Sequence, residues 1–196
     1  GHFLNGKALA GDKNRVIFPF TFGHLALLNP QTNVPPSKER LDGVIELTEW
    51  FPVFKQVAWD KVEYLFSPVH TDKHYRVYAA DLRSQKTFLL DSQKSKPAVA
   101  KVDHCPMGKL ILEYGAAFLA KHNLDFPLHD WEFLIADVPQ QKGNDDCGVF
   151  ACMFMEHWGG GVTFHRNTRK LGTWKSTWST SEHLLQAVSF NGNTTK

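Results

Sequence analysis

The stretch VPQQKGNDDCGVF, residues 138–150, decides the fold that we expect for this chain. An apolar run of strand length, Phe133–Ala136, precedes it, and the largely apolar segment Gly148–Trp158 follows it without a proline or an interior glycine. This order predicts a strand, a polar turn and then a buried helix with Cys147 in its first turn. Backbone N–H groups and the helix dipole favour an anion there, and the thiolate is the nucleophilic form of cysteine. Cys147 is therefore the candidate nucleophile, whereas Cys152, in the apolar middle of the same helix, is predicted to be a buried structural residue.

The composition is that of one globular domain. The chain has 196 residues, of which 42% are hydrophobic and 21% charged, with a net charge of +2. Without a dense Lys/Arg tract the sequence does not indicate nucleic-acid binding, and it has no apolar run long enough for a membrane span. Three cysteines do not make a disulfide framework, which favours a reducing intracellular compartment.

The rest of the pattern alternates between extended and helical segments. Extended, alternating or aromatic runs bounded by turn residues predict strands, apolar residues at helical spacing predict helices, and proline-containing polar stretches predict loops. The predicted strands are a short one within Arg15–Phe22, then Val62–Phe66 (ending at Ser67-Pro68), His74–Asp81, Thr87–Asp91 and Trp131–Val138. The predicted helices are Leu41 to about Phe51, Leu110–His122 (ended by Asn123) and a weak one at Glu182–Val188, with a turn into Leu25–Leu28 and loops at Asn29–Arg40 and Lys94–Gly108.

Two of these strands form a hairpin that supplies a base and a carboxylate. The polar segment Arg83–Lys86 predicts the turn between them. His74 opens the first strand and Asp91 closes the second, 17 positions later, so their midpoint falls at Leu82 and Arg83. Folding the hairpin about that midpoint brings His74 and Asp91 together at its open end.

A cysteine nucleophile needs a general base, and that base needs a third group to orient it. Asp91 can hold one nitrogen of the His74 imidazole while the other nitrogen faces Cys147. His70, four positions upstream, is an alternative base if the strand begins earlier, but it has no carboxylate at hairpin distance. His104 and Cys105 are adjacent, but no second ligand pair gives zinc spacing, so no metal site is predicted.

Acyl transfer also needs donors for the developing oxyanion. The backbone N–H of Cys147 can be one donor, and the side-chain amide of Gln141, on the loop that enters the helix, can be another. Gly148 keeps the approach to the thiol open. Asp146, at the N-cap position, is predicted to close the start of the helix.

Together these residues resemble the ubiquitin-like-protein-specific cysteine proteases, the SUMO-protease family. The family order is His, Asp, Gln, Cys, and this sequence matches it with His74-Tyr75, Leu90-Asp91-Ser92, Pro139-Gln140-Gln141 and Asp146-Cys147-Gly148. The resemblance runs from about Val16 to about Trp158. Tyr75 stands where the family commonly has Trp, and residues 1–14 do not match the Trp-Leu segment that opens the family.

The resemblance implies an α+β, papain-like cysteine protease fold. In that fold a central mixed or antiparallel sheet is flanked by helices and the nucleophile begins a helix. The implied activity is hydrolysis of the peptide or isopeptide bond after the C-terminal Gly-Gly of a SUMO-type ubiquitin-like modifier, by a monomer without a cofactor, in the nucleus and/or cytoplasm. We place the catalytic domain at residues 1–161 and a C-terminal tail at residues 162–196.

The implied roles are nucleophile for Cys147, base for His74, orienting carboxylate for Asp91 and oxyanion donor for Gln141, with Tyr75 lining the diglycine tunnel. Three alternatives stay open. Proteases of this type in mobile elements and viruses process polyproteins. A chain without the opening segment could act as a binding module for ubiquitin-like proteins. The same triad could also deliver an acyl group to an amine.

Overall fold

A computed structural model of the protein describes residues 14–19, 22–23, 37–49, 54, 57–93, 97–143 and 146–164. Its strands are β1 (Arg15–Ile17), β2 (Tyr64–Thr71), β3 (His74–Asp81), β4 (Lys86–Leu90) and β5 (Glu132–Ile135). Three long helices lie in the described part: α1 (Lys38–Glu49), α2 (Pro97–Lys121) and α3 (Cys147–His157), with short 3-10 turns at Trp59–Lys61 and Leu128–Asp130. The predicted elements at Leu25–Leu28 and Glu182–Val188, and most of the Asn29–Arg40 loop, lie outside the described residues.

The five strands form one mixed sheet in the order β1-β2-β3-β4-β5. The two outer pairs, β1 with β2 and β4 with β5, are parallel, and the two inner pairs are antiparallel. The predicted α+β architecture with a central mixed sheet is therefore confirmed. None of the described helices is both long enough and apolar enough to cross a bilayer.

The sheet buries both of its faces, because successive strand residues point to opposite sides. One side packs against α1 and α2, and the other packs against α3. The first side buries Leu65, Tyr78, Leu89 and Phe133 against Val44, Ile45, Ile111, Tyr114 and Phe118. The second side buries Phe66, Val77, Phe88 and Leu90 against Ala151, Phe154, Met155 and Trp158.

Trp158, directly after α3, fixes the C-terminal end of that helix on the sheet. Its side chain is 1% exposed and its ring packs against Tyr64, Phe66 and Phe88, with centroids 5.8, 5.9 and 4.9 Å away. Gly160 and Gly161 follow with φ of 88° and 79°, left-handed conformations that favour glycine and lie just beyond the end of α3. A Cβ on Gly160 would lie 2.6 Å from Asp81 Oδ2, so only glycine fits this close approach.

Arg15 on β1 holds the same end of α3 through the last carbonyl groups. Its Nη1 donates to the carbonyl oxygens of Trp158 at 2.6 Å and Met155 at 3.3 Å. The guanidinium carbon also lies 5.1 Å from the centre of the Tyr64 ring. A cation at a helix C-terminus complements the dipole, so Arg15 of β1 stabilises the end of α3 on the face of the sheet that they share.

Replacing Arg15 by methionine keeps an unbranched apolar stem but removes these hydrogen bonds. We expect Arg15→Met to lower the free energy of unfolding by about 1–2 kcal/mol, the usual value for charge-assisted bonds at a helix terminus. Urea denaturation followed by circular dichroism measures the change. Lys86→Met is the control, because the Lys86–Glu132 ion pair is solvent-exposed and contributes little. Equal urea midpoints for the two variants would show that the Arg15 hydrogen bonds do not stabilise the protein.

The prediction that the second strand ends at Ser67-Pro68 is wrong, because β2 continues to Thr71. Tyr64 donates to the Asn14 carbonyl and the Phe66 carbonyl accepts from Phe18, so alternate residues of β2 turn their polar backbone groups towards β1. Pro68 shares this orientation, but the register of β1 ends opposite Phe66. The missing N–H of Pro68 therefore removes no hydrogen bond between strands, which is why proline is tolerated at the edges of sheets.

The prediction of a loop over Lys94–Gly108 is also wrong, because α2 runs from Pro97 through Lys121. Pro97 occupies the first helical position, where the fixed φ of proline suits a helix and its missing N–H has no helical partner. Pro106 lies inside the helix and costs about 3 kcal/mol. The helix tolerates it because its second half is packed in the core. The predicted end of this helix is confirmed, since Asn123 adopts a left-handed φ of 60°.

Candidate functional site

The β3–β4 hairpin brings His74 and Asp91 into direct contact. The Nε2 atom of His74 is 2.6 Å from Oδ1 of Asp91. The two residues are 2% and 9% exposed, so the contact lies in a largely water-free environment. The meeting of these side chains at the open end of the hairpin, which the sequence predicts, is therefore confirmed.

The register of the hairpin differs from the predicted one by two residues. Asp81 pairs with Lys86, so the turn comprises Leu82–Gln85 and its centre lies between Arg83 and Ser84, not between Leu82 and Arg83. The side chain of Asp81 explains the shift. Its Oδ1 accepts from the backbone N–H groups of Arg83 at 3.1 Å and Ser84 at 3.3 Å, an interaction typical of Asp at the start of a turn.

This register places Arg76, rather than His74, opposite Asp91. His74 reaches the carboxylate as a diagonal neighbour, a distance that a long side chain can bridge. Arg76 Nε donates to Oδ2 of Asp91 at 3.0 Å, and the backbone N–H of Gln93 donates to Oδ1 at 2.8 Å. Arg76 is not among the site residues predicted from the sequence. The available signal was its position two residues after His74, on the same face of the strand.

The helix half of the site begins at Cys147, the first residue of α3. Cys147 is 6% exposed. Asp146 occupies the N-cap position, but its side chain makes no capping hydrogen bond. The prediction that Asp146 closes the helix is therefore wrong, because its backbone, at φ −91° and ψ 0°, does not have the extended conformation of an N-cap. That side chain consequently leaves the first-turn N–H groups available to another acceptor.

Tyr75 joins the two halves. A Cβ on Gly148 would lie 3.6 Å from the Tyr75 ring, which places the residue after Cys147 against the residue after His74. Burial raises the pKa of the Tyr75 phenol, and the nearby Cys147 and Cys152 thiols add to the shift. His70 stacks on the same ring at a centroid distance of 4.4 Å. His70 thus lies beside the site as a neighbour of Tyr75, and the contact with Asp91 belongs to His74.

The second ring nitrogen of His74 is open. Its Nδ1 is buried and has no hydrogen-bond partner among the residues that the structure describes. Because Nε2 faces Asp91, Nδ1 is the atom through which this imidazole can exchange a proton with a neighbouring group. The arrangement can therefore act as a general base whose orientation is set by a carboxylate.

Gln141 is held beside Asp91 by Ser92. The backbone N–H of Gln141 donates to the Ser92 carbonyl at 2.9 Å, and its Oε1 accepts from the Ser92 hydroxyl at 2.9 Å. Its Nε2 is buried and has no partner within the described ranges. A buried amide donor costs free energy when it is unsatisfied, so this N–H group is suited to an acceptor that a substrate brings.

Gln140 is a second residue that the sequence reasoning left without a role. Its Nε2 donates to the carbonyl oxygens of Asp91 at 3.0 Å and Val138 at 2.9 Å. These bonds tie the loop after β5 to the end of β4. The loop that carries Gln141 is thereby fixed against the strand end that carries Asp91.

Cys147 and Cys152, on the same helix, have different surroundings. Cys152 lies in the middle of α3, where burial raises the pKa of its thiol to about 11 and the Glu156 carboxylate adds to the shift. It stays protonated at neutral pH and fits the structural role that was predicted. Among the described residues, no three His, Cys, Asp or Glu side chains gather into a group that could hold a metal ion.

Comparison with known proteins identifies the family to which the chain belongs. The family model for the Ulp1 protease family, C-terminal catalytic domain, matches residues 11–173. Ubiquitin-like-specific protease 1 of Saccharomyces cerevisiae is 26% identical over 101 residues, which is 50% of this chain and 15% of that protein. This chain therefore spans only a small part of the length of that relative.

Solved structures show the same fold. The C-terminal Ulp1 protease domain in complex with Smt3, the yeast ortholog of SUMO, superposes with a TM-score of 0.52 at 21% identity, over 79% of this chain and 61% of that one. A de-sumoylating protease superposes with a TM-score of 0.53 at 15% identity, over 95% of this chain and 67% of that one. The family match covers most of the sequence, and the mixed sheet with its flanking helices agrees with it. The chain belongs to the Ulp1 protease family, as a C-terminal catalytic domain.

Proposed function

We propose that the chain is a cysteine peptidase that hydrolyses the peptide or isopeptide bond after the C-terminal Gly-Gly of a SUMO-type modifier. The observation that carries this proposal is the buried His74–Asp91 pair with its open Nδ1, next to the residue that packs on the start of α3. In this assignment Cys147 is the nucleophile, His74 the general base, Asp91 its orienting carboxylate and Gln141 an oxyanion donor.

The first half of the reaction forms a thioester. His74 Nδ1 takes the thiol proton of Cys147, and the sulfur attacks the carbonyl carbon of the terminal glycine. The resulting oxyanion accepts hydrogen bonds from Gln141 Nε2 and the backbone N–H of Cys147. When the tetrahedral intermediate collapses, the carbon–nitrogen bond breaks and the imidazolium gives its proton to the leaving amine.

The second half releases the modifier. A water molecule gives one proton to His74 and attacks the thioester carbonyl. The carbon–sulfur bond then breaks, the carboxylic acid leaves, and Cys147 recovers its proton from His74. Throughout both halves Asp91 Oδ1 accepts from Nε2, so the imidazole keeps one orientation and its positive form is stabilised.

The contact of Tyr75 with Gly148 supports a narrow approach to the thiol. The aromatic ring lies 3.6 Å from the Cβ position of Gly148, the residue next to Cys147. In the proposed role the Tyr75 ring lines the path of the last two substrate residues, which favours glycine over residues with larger side chains. The Ulp1 domain solved in complex with Smt3 shares this fold, and this likeness supports a SUMO-type substrate for the chain.

Covalent capture tests the proposal. SUMO-type and ubiquitin-type proteins carrying a C-terminal electrophile are incubated with the protein, and the adduct is mapped by mass spectrometry. We expect an adduct at Cys147 with the SUMO-type probe, retained in Cys152→Ala. No adduct with any probe would contradict hydrolysis after Gly-Gly, and selective cleavage of a longer polypeptide would favour polyprotein processing.

The Gln141→Ala variant is predicted to lower kcat by about 10²–10³-fold, the usual loss for one oxyanion donor. KM should change little, because the amide contacts charge that develops only in the transition state. Steady-state hydrolysis of a fluorogenic modifier conjugate measures both constants. Lys142→Ala is the matched control, since that exposed neighbour lies on the same loop. A kcat for Gln141→Ala within twofold of the wild-type value would remove this residue from the site.

A further inference from the structure

Arg76 makes a two-pronged contact at the base of the site. Its Nε donates to Asp91 Oδ2 at 3.0 Å and its Nη1 donates to the Thr71 hydroxyl oxygen at 2.9 Å. The guanidinium side chain is 13% exposed, and the carboxylate that it contacts is 8% exposed. The contact is therefore shielded from water, where a planar fork of donors is strong and directional.

The hydrogen bond from Arg76 to Thr71 is important for the site because of the position of Thr71. Thr71 is the last residue of β2 and pairs with His74, the first residue of β3. The two residues between them, Asp72 and Lys73, form a tight turn with φ of 53° and 60°. Arg76 thus joins the carboxylate of Asp91 to the strand end at which the imidazole begins.

The Asp91 carboxylate needs such a contact to keep its orientation. Oδ1 accepts from both His74 and Gln93, whereas Arg76 is the hydrogen-bond partner of Oδ2 in the described part of the chain. If Oδ2 loses its partner, the carboxylate can rotate about its Cβ–Cγ bond, and Oδ1 moves away from Nε2. Small displacements of catalytic groups reduce rates strongly.

We propose that Arg76 is a positioning residue, which holds the Asp91 carboxylate in the plane that keeps Oδ1 on His74 Nε2. The inference rests on the proposed function, since it assigns the His74–Asp91 pair to catalysis. Arg76 acts by orienting the Asp91 carboxylate and not by its charge alone, because the hydrogen bond to Thr71 fixes the plane of the guanidinium group. Arg76 touches neither the thiol nor the reacting bond.

Three variants separate orientation from charge. Arg76→Gln removes the cation, Arg76→Lys keeps a cation without the planar fork, and Thr71→Val removes only the second prong while keeping a β-branched residue on the strand. Lys86→Gln is the control, because it removes one positive charge from the same hairpin at an exposed ion pair far from His74. For each variant we would measure kcat and KM on the fluorogenic conjugate, the melting temperature, and the alkylation rate of Cys147 by iodoacetamide.

The expected result is a loss in kcat with little change in KM. Arg76→Gln should lower kcat by about tenfold or more, as a misplaced catalytic group does. Arg76→Lys should recover less than half of the loss on a logarithmic scale, and Thr71→Val should lower kcat by about threefold, because a hydrogen bond of modest strength is lost. Lys86→Gln should match the wild type in every measurement.

Three outcomes would overturn the inference. The first is an unchanged kcat in Arg76→Gln, and the second is full recovery in Arg76→Lys, which would leave charge as the whole effect. The third is a combination of two results: Thr71→Val is folded and has the wild-type kcat, and in both Arg76 variants the activity falls only as far as the fraction of folded protein falls. That result would make the role of Arg76 structural.

Alkylation distinguishes this inference from the proposed function. Iodoacetamide needs no recognition of a modifier, so the rate at Cys147 reports activation of the thiol alone. If no conjugate is cleaved but Cys147 alkylation slows in the order wild type, Thr71→Val, Arg76→Gln, the positioning role stands and hydrolysis after Gly-Gly fails. If conjugates are cleaved and the three rates are equal, the positioning role fails and the hydrolase stands.

Discussion

Cys147→Ala is expected to turn over a SUMO-type conjugate at least about 10⁴-fold more slowly than the wild type, as loss of a catalytic nucleophile does. The variant removes the sulfur that forms the thioester and leaves His74 and Asp91 in place. Because alanine is smaller than cysteine at a position that is 6% exposed, the fold should persist. Single-turnover hydrolysis measures the rate, and isothermal titration calorimetry measures binding of the mature modifier.

The matched control is Cys152→Ala, on the same helix. Its thiol is held protonated by burial, with a pKa of about 11, so the proposed chemistry does not use it. We expect wild-type kcat within about twofold, together with a small loss of stability from the shortened, partly buried side chain. Retained turnover in Cys147→Ala, or its loss in Cys152→Ala, would show that the nucleophile has been assigned to the wrong residue.

The second large effect is expected for His74→Ala. Removing the base should lower kcat by about 10²–10⁴-fold, the usual contribution of general acid–base catalysis. Asp91 keeps its contacts with Arg76 and with the Gln93 backbone, so the buried carboxylate is not left without partners. Circular dichroism should therefore show a folded protein at the assay temperature.

Alkylation of Cys147 by iodoacetamide adds a second measurement for His74→Ala. We expect it to slow, because the base that takes the thiol proton is gone. His129→Ala serves as the control, since the exposed His129 side chain lies in a 3-10 turn away from the hairpin. Equal kcat values for His74→Ala and the wild type would exclude His74 as the base and would direct attention to His70.

The sequence predicted those parts of the molecule that local patterns determine. Strand β3 and the helix beginning at Cys147 follow from an extended run and from an apolar run after a polar turn, so their bounds agree with the structure to within a residue. The meeting of His74 with Asp91 follows from hairpin geometry, which depends on a short segment of chain. The His74–Asp91 contact and the position of Cys147 were predictable because they lie in well-patterned elements.

The misses come from tertiary context. Judged from the sequence alone, Pro68 disfavours a strand and Pro106 disfavours a helix. Pro68 is tolerated because that part of the β2 edge is not paired with β1, and Pro106 because the second half of α2 is packed in the core. The hairpin register depends on whether Asp81 accepts from the turn, which composition alone does not determine. The error of two residues concealed Arg76. A polar residue directly opposite a candidate carboxylate can be identified only when the register is known.

The order of the site along the chain has a consequence for biosynthesis. A ribosome completes the hairpin that carries His74 and Asp91 more than 50 residues before it adds Cys147. The hairpin is a local structure that can form early, whereas α3 follows β5 along the chain and is translated later. A nascent chain therefore holds an imidazole without a thiol until α3 has been translated. Synthesis itself delays the proposed peptidase until the chain has passed β5 and added Cys147.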